Sequence, residues 1–323
     1  MPNAADQTWH DGEIAMQRTV GVAEKLARSG QVLRDHLIEQ HRLFYPQLPF
    51  IVAGAVDHAS DAWATIIAGQ PGFLQAPDPH RLSIAARRDP HDPADDGMND
   101  GDAVGLLGIE LHTRRRNRLN GVVRRQGAET FDVIVQQSFG NCPQYIQLRD
   151  FAFVRELSAP SAVTPRSLDR LDERARRMIA EADTFFVASY LDREGRREVD
   201  ASHRGGKPGF VRVGDDGVLT IPDFSGNRFF NTLGNLIANP KAGLLFVDFE
   251  TGDLLQLSGD AEVVLDSPEI ATFQGAERLW RFAPRRIVYR PDALPLRWVF
   301  QQDGWSPQSL RTGSWRSSAI SGS

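Results

Sequence analysis

The chain has 323 residues, 41% of them hydrophobic and 24% charged, with a formal net charge of −5. That length fits one large or two ordinary domains with a full core, and the acidic balance argues against general nucleic-acid binding. The single cysteine, Cys142, excludes an intrachain disulfide and a cysteine-based metal cage and fits a reducing, cytoplasmic setting.

The first residues, "MPNAADQTWHDGEIAMQ", lack the basic start and apolar core of a signal peptide. No apolar run approaches the ~20 residues of a membrane helix. Residues 12–42 read as mainly helical, and "IVAGAVD" (51–57) follows as a strand. The turn "GQPGF" (69–73) precedes an acidic loop, "DPHDPADDGMNDGD" (89–102), in which Pro90 and Pro93 oppose helix formation. The aspartate spacing does not match an EF-hand loop.

"GLLGIEL" (105–111) then leads into "HTRRRNRLNG" (112–121), a strand carrying four arginines. Pairing with the acidic loop is the favoured reading of this basic strand, ahead of an anion ligand. No stacking aromatics are interleaved for nucleic acid. "QQSFGNCPQYIQLRD" (136–150) puts Cys142 in a turn with no paired histidine nearby. Pro160 and Pro165 mark a linker, and residues 166–182 show an apolar helical face of Leu168, Leu171, Ala175, Met178 and Ile179. "FFVASYLD", "GFVRV", "GVLTIPD", "GLLFVDF" and "LLQLSGDAEVV" are short strands broken by Gly, Pro and Asp. The ending, "SPQSLRTGSWRSSAISGS", reads as a loose polar tail.

The chain repeats. "GKPGF" (206–210) copies "GQPGF" at an offset of 137, and "GLLFVDF" (243–249) faces "GLLGIEL" at 138. "IVAGAVD" resembles "FVASYLD" (186–192) at 135. Two copies mean duplicated domains, not a solenoid. The spacing of the strands suggests an antiparallel barrel or sandwich.

The copies differ between the PGF turn and the GLL strand. The second reads "DFSGNRFFNTLGNLIANPKAG" (223–243), with a helix start expected at Gly226-Asn227 and a stop at Asn239-Pro240. Its first turn would carry Asn227, Arg228, Asn231 and Thr232. Backbone N–H groups at a helix start, with an arginine, suit a phosphate. The preceding "SHRGGK" adds Ser202, Arg204 and Lys207 beside a Gly-Gly bend. The first copy has "TIIAGQ" and six aspartates instead, which would repel phosphate. No HExxH pair, Walker loop, GxGxxG fingerprint or GxSxG elbow is present.

On "SHRGGKPGFV", "DFSGNRFFNTLGNLIANPKAGLLF" and "LLQLSGDAEVV", the second copy resembles the FMN-binding split barrels related to pyridoxamine 5′-phosphate oxidase. The first copy is similar through "ATIIAGQPGF", "GLLGIELHTRRRNRLNG" and "QSFGNCPQYI". With the "WHDGE" start, the chain looks like the tandem flavin-nucleotide-binding branch. The resemblance implies a mainly β, α+β fold of two tandem six-stranded antiparallel split β-barrels with flanking helices. It implies an N-terminal repeat over 1–158 degenerate for phosphate, an FMN-binding barrel over 159–300, and the polar tail 301–323. FMN would sit where two barrels meet, in an internal pseudo-dimer or a homodimer.

Carried over by motif, the phosphate holders are Ser202, Arg204, Asp223, Asn227, Arg228, Asn231 and Thr232, with His203 and Lys207 as weaker candidates. The implied function is an FMN-dependent oxidoreductase acting on a small molecule or an electron-transfer partner. The alternatives are a flavin-binding module without turnover, or a haem- or deazaflavin-binding barrel with His203 as a candidate axial ligand. The strand "REVDASHRGG" departs from the oxidase's own basic pattern, and its C-terminal Trp and Arg segment has no match, which argues against pyridoxamine phosphate oxidase activity.

Overall fold

The structure is a computed structural model, which describes residues 9–27, 33–157 and 164–315. The N-terminal half forms one antiparallel sheet from β1 (Phe50–Val56), β2 (Ala62–Ala68), β3 (Leu74–Asp78), β4 (Arg81–Ala85), β5 (Ala103–Ile109), β6 (Arg116–Arg125) and β7 (Thr130–Gly140). Its strand order is β2-β1-β5-β6-β7-β4-β3. After β8 (Arg149–Phe153) and β9 (Arg166–Leu168), the C-terminal half builds a second sheet. It uses β10 (Thr184–Arg193), β11 (Arg196–Gly205), β12 (Arg212–Val213), β13 (Leu219–Phe224), β14 (Lys241–Val247), β15 (Leu254–Val264) and β16 (Ala276–Arg290). Its order, β11-β10-β14-β15-β16-β13-β12, is the first order with each strand replaced by its repeat partner. The duplication read from the sequence is therefore a duplication of topology. Seven strands run on each path where six were expected, and short β9 adds to β16.

The turns that first betrayed the repeat are equivalent. Phe73 N–H donates to Gln70 O and Phe210 N–H to Lys207 O, both at 2.9 Å. Each half has its own core, one around Trp63, Leu82, Leu106 and Leu119, the other around Phe185, Phe210, Leu257 and Trp280. A third core joins them, with Phe50, Val52, Ala64 and Leu107 against Phe186, Ala201, Leu245 and Leu254. The glycines of the two GLL strands permit this approach. A Cβ on Gly105 would lie 2.6 Å from Val199 O, and one on Gly243 would lie 2.4 Å from Ala62 O. The repeated glycine is a contact requirement, met once from each side. The halves are joined again by a separate two-stranded sheet, in which β8 pairs with β17 (Leu296–Phe300).

Several local expectations change. Residues 12–42 give separate short helices, α1 (Asp11–Thr19), α2 (Ala23–Ala27) and α3 (Glu39–Phe44); residues 28–32 lie outside the described set. The helix expected over 166–182 is shortened to α4 (Glu173–Glu181). Asp172 caps it by accepting from Ala175 N–H at 2.8 Å. Leu168 instead pairs with Ile287 in the sheet, because tertiary pairing outweighs a chance helical spacing.

The tail is not loose through residue 315. Ser306 N–H donates to Gln147 Oε1 at 2.8 Å, and Gln147 Nε2 donates to Ser309 Oγ at 2.8 Å. Trp315 packs on Phe273 with centroids 4.8 Å apart. Polar composition hid a docked segment, held by buried hydrogen bonds and by the packing of Trp315. Pro160 of the expected linker, and residues 316–323, lie outside the described residues. Among the described residues, no helix is long and apolar enough to cross a membrane.

Candidate functional site

A cleft opens where the two halves meet. Its C-terminal wall is built from β11, the end of β13, the loop 225–230, and α5 (Asn231–Ala238). Ser202 and Arg204 lie two apart on β11, so they share a face with Asp200. Its other wall comes from the N-terminal half. Period-two alternation on β6 sends Arg116 and Arg118 into the cleft. Between them Asn117 turns inward and accepts from Tyr45 O–H at 2.6 Å. The turn 141–145 closes this wall with Asn141, Cys142 and Tyr145.

The two walls are bonded to each other. Arg118 pairs with Asp200 at 2.9 Å, donates to Asn231 Oδ1 at 3.1 Å, and donates to Ser202 Oγ. Asn227 Nδ2 donates to Asn141 Oδ1 at 2.8 Å. Arg204 pairs with Asp223 at 2.6 Å, and Arg278 stands 3.5 Å from the other oxygen of that carboxylate. Asp223 thus positions Arg204. Tyr145 stacks on Phe224 across the cleft, with centroids 5.3 Å apart.

Positive charge is in surplus. Arg116, Arg118, Arg204 and Arg228 line the cleft against the carboxylates of Asp223 and Glu277. Burial, with the neighbouring Arg118 and Arg204, presses Arg116 down to about 9. An arginine keeps its proton at neutral pH, so Arg116 stays charged there, at a cost set first by burial and then by Arg118. His203 is held well below its ordinary value by burial and then by Arg116 and Arg204, so its imidazole is neutral. Donors are left over as well. Arg118 Nε, Arg204 Nε and Asn141 Nδ2 are buried without a hydrogen-bond partner among the described residues, as is His203 Nε2. Unmet buried donors of this kind are uncommon in folded proteins. An anionic group would satisfy the charge and the donors together.

Helix α5 is braced from outside by α1. A Cβ on Gly12 would lie 2.1 Å from Gly234 O, so the helices cross at glycine. Asn231 Nδ2 donates to Glu13 Oε1 at 2.5 Å, and Gln17 Nε2 to Phe229 O at 3.2 Å. Burial raises Glu13 to about 8, with Asp200 and Glu198 adding repulsion.

The structure brings Ser202, His203, Arg204, Asp223, Asn227, Arg228, Asn231 and Thr232 together along the cleft; Lys207 lies outside it. The expected helix start at Gly226-Asn227 moves to Asn231, after Arg228 and Phe230 take left-handed φ of 61° and 62°. Arg228 therefore reaches the mouth from a strained loop rather than from a helical turn. None of the four arginines of 112–121 pairs with the acidic loop; Arg125, at the far end of β6, does reach it, 4.0 Å from Asp95. Asp95 is matched by Arg88 at 2.7 Å and Asp92 by Arg290 at 2.8 Å. The basic strand serves the cleft of the other repeat. Arg116, Arg118, Asn141, Tyr145 and Glu277 were missed as site residues. The run of arginines was the signal for the first pair, but only the packing of the halves says where it points. Among the described residues no cluster of His, Cys, Asp and Glu is fit to hold a metal ion.

Residues 171–299 match the family model of pyridoxamine 5′-phosphate oxidase. No curated protein matches the chain. Among solved structures, HupZ of Group A Streptococcus is similar at 16% identity over 36% of this chain and 91% of its own, with a TM-score of 0.29. The haem storage protein HutZ from Vibrio cholerae is similar at 18% identity over 38% of this chain and 95% of its own, with a TM-score of 0.27. The matched segment runs from just before α4 into β17 and contains the arginine-lined wall of β11, β13 and α5. Over residues 171–299, and by sequence pattern there, the chain is similar to the pyridoxamine 5′-phosphate oxidase family.

Proposed function

We propose that the cleft binds FMN and that the protein is an FMN-dependent oxidoreductase. The observation that carries this reading is the guanidinium cluster of Arg116, Arg118 and Arg204, in which Arg118 and Arg204 each meet one carboxylate while Arg116 meets a backbone carbonyl, with donors left over beside a stacked aromatic pair. An anionic tail on a planar ring system matches both features. Ser202, Arg204, Arg228, Asn227 and Thr232 would hold the phosphate, with Arg116 and Arg118 completing the cradle from the other half. Tyr145 and Phe224 would offer the apolar wall. When bound, FMN supplies one- and two-electron transfer. The chain's own part is to bind, orient and screen it.

On this reading residues 1–158 and 159–300 are tandem split barrels acting as an internal pseudo-dimer. The third core and the shared cleft support that arrangement. Titration with FMN, followed by flavin fluorescence, is the test. Arg204→Ala should weaken binding by ~1.5–3 kcal/mol, the worth of a hydrogen bond to a charged group. No saturable flavin binding by the wild-type protein would sink the proposal. A flavin that binds but is neither reduced nor oxidised by any donor supplied would favour a module without turnover.

One observation favours haem as a second reading. His203 in the cleft is neutral and its Nε2 is buried without a hydrogen-bond partner among the described residues, as an axial ligand requires. A Soret band on titration with haemin that is lost in His203→Ala would select it over FMN.

A further inference from the structure

Sequence repetition and sheet pairing define a second position, related to the cleft by the duplication. Thr65 is the counterpart of Ser202 at the offset of 137, and Gln256 is the counterpart of Arg118 at 138. Tyr289 pairs with Leu255 as Gly140 pairs with Asn117, so the next residues, Arg290 and Asn141, are also counterparts. In the open cleft, Ser202 of one half meets Arg118 of the other, beside Asn141. In the related position, Thr65 meets Gln256, beside Arg290, and one group lies among all of them. It is the carboxylate of Asp92, from the acidic loop.

Asp92 accepts from Thr65 Oγ1, from Gln256 Nε2 at 2.9 Å and from Ala94 N–H at 3.0 Å, and it pairs with Arg290 at 2.8 Å. Arg290 also pairs with Asp89 and reaches Gln256 Oε1 at 3.4 Å. Asp92 and Arg290 are both at least nine-tenths buried, with exposures of 8% and 7%, while the Asp89 side chain is 47% exposed. A buried arginine, a hydroxyl and an amide N–H thus converge from both halves on one carboxylate, as an anion site does on its ligand.

We propose that the N-terminal half retains a second anion-binding site, and that the chain's own Asp92 carboxylate occupies it as a built-in ligand. The degenerate copy did not lose its site by scattering the contacts. It filled the site from within, so that one anionic ligand binds per chain. The inference is independent of which cofactor the open cleft takes. It also gives the aspartates of the loop a role: Asp92 is the plug, and Asp89 helps balance Arg290 from the solvent side.

The probe is inorganic phosphate, measured by equilibrium dialysis against the wild-type protein and Asp92→Gly. The expected result is one additional phosphate per chain in the variant. That difference holds whether the open cleft binds phosphate or not, so failure here is distinct from failure of the flavin reading. Adding Arg290→Gln to Asp92→Gly should remove the extra equivalent. Formate serves as the control for a merely structural ion pair. If formate restores the thermal stability of Asp92→Gly while no extra phosphate binds, the proposal is overturned. If the variant folds only with an added anion, phosphate should restore its circular dichroism, and a chain that stays unfolded in phosphate overturns the proposal equally.

Discussion

Arg116→Gln should move stability and ligand affinity in opposite directions. Arg116 donates through Nε to Cys142 O at 2.8 Å, and its charge faces Arg118 and Arg204. Its depression to about 9 from 12.5 corresponds to about 5 kcal/mol of unfavourable burial and repulsion at neutral pH, at ~1.36 kcal/mol per tenfold change. Arg116 is only partly buried by surface area, and screening at the cleft mouth should leave ~1–2 kcal/mol of that. The sign follows from the lowered value: the charged form is penalised in the folded state, so removing the charge stabilises the empty protein. Glutamine can still donate to Cys142 O. Chemical denaturation without ligand should therefore show a gain of ~1–2 kcal/mol. An anionic ligand loses a charge-assisted contact, worth ~1.5–3 kcal/mol, or roughly 10–150-fold in Kd. Denaturation curves and FMN titration on the same preparation read both. A variant that loses stability and keeps its affinity would refute the idea that the cluster is strained for want of an anion.

Other outcomes follow from the same geometry. Glu13 is raised from 4.5 to about 8, so its neutral form is favoured by folding and the associated stability is lost as pH rises between those values. Glu13→Gln should flatten the fall in Tm between pH 6.5 and about 8, a window above the opposing titration of His10, which is lowered to about 4 from 6.5. Gly234→Ala places a Cβ 2.7 Å from Glu13 N, must push α1 off α5, and should cost ~1–3 kcal/mol by thermal denaturation. Arg149→Met breaks a buried pair with Asp183 at 2.6 Å and strands that carboxylate, so a loss of ~3–5 kcal/mol is expected in denaturant.

Much of the fold was legible. Local patterning showed the strands, and the recurrence of PGF and GLL showed that there were two copies. The equivalent strand orders confirm a repeat at the level of topology. Most of the residues along the C-terminal wall could be picked out too, because Ser202 and Arg204 sit in one motif-bearing stretch and Asn231 in the next. Boundaries were harder. Asn227 looks like a helix cap, yet it accepts from Phe229 N–H at 3.1 Å in a loop, and the helix waits until Asn231. The same side-chain chemistry serves an Asx turn and an N-cap.

The sequence by itself determined the number of repeats, their strand character and the contrast between a basic copy and an acidic one. These are local properties, written in residue spacing and side-chain type. Only the tertiary structure decided the partners of the charges. Arg118 finds Asp200 and Ser202 at separations of 82 and 84 residues, and Arg290 finds Asp92 across the same interface. Charge says that an arginine needs an anion, but not which one. That choice was made when Gly105 and Gly243 let the two sheets close, bringing each half's strand against the other's site.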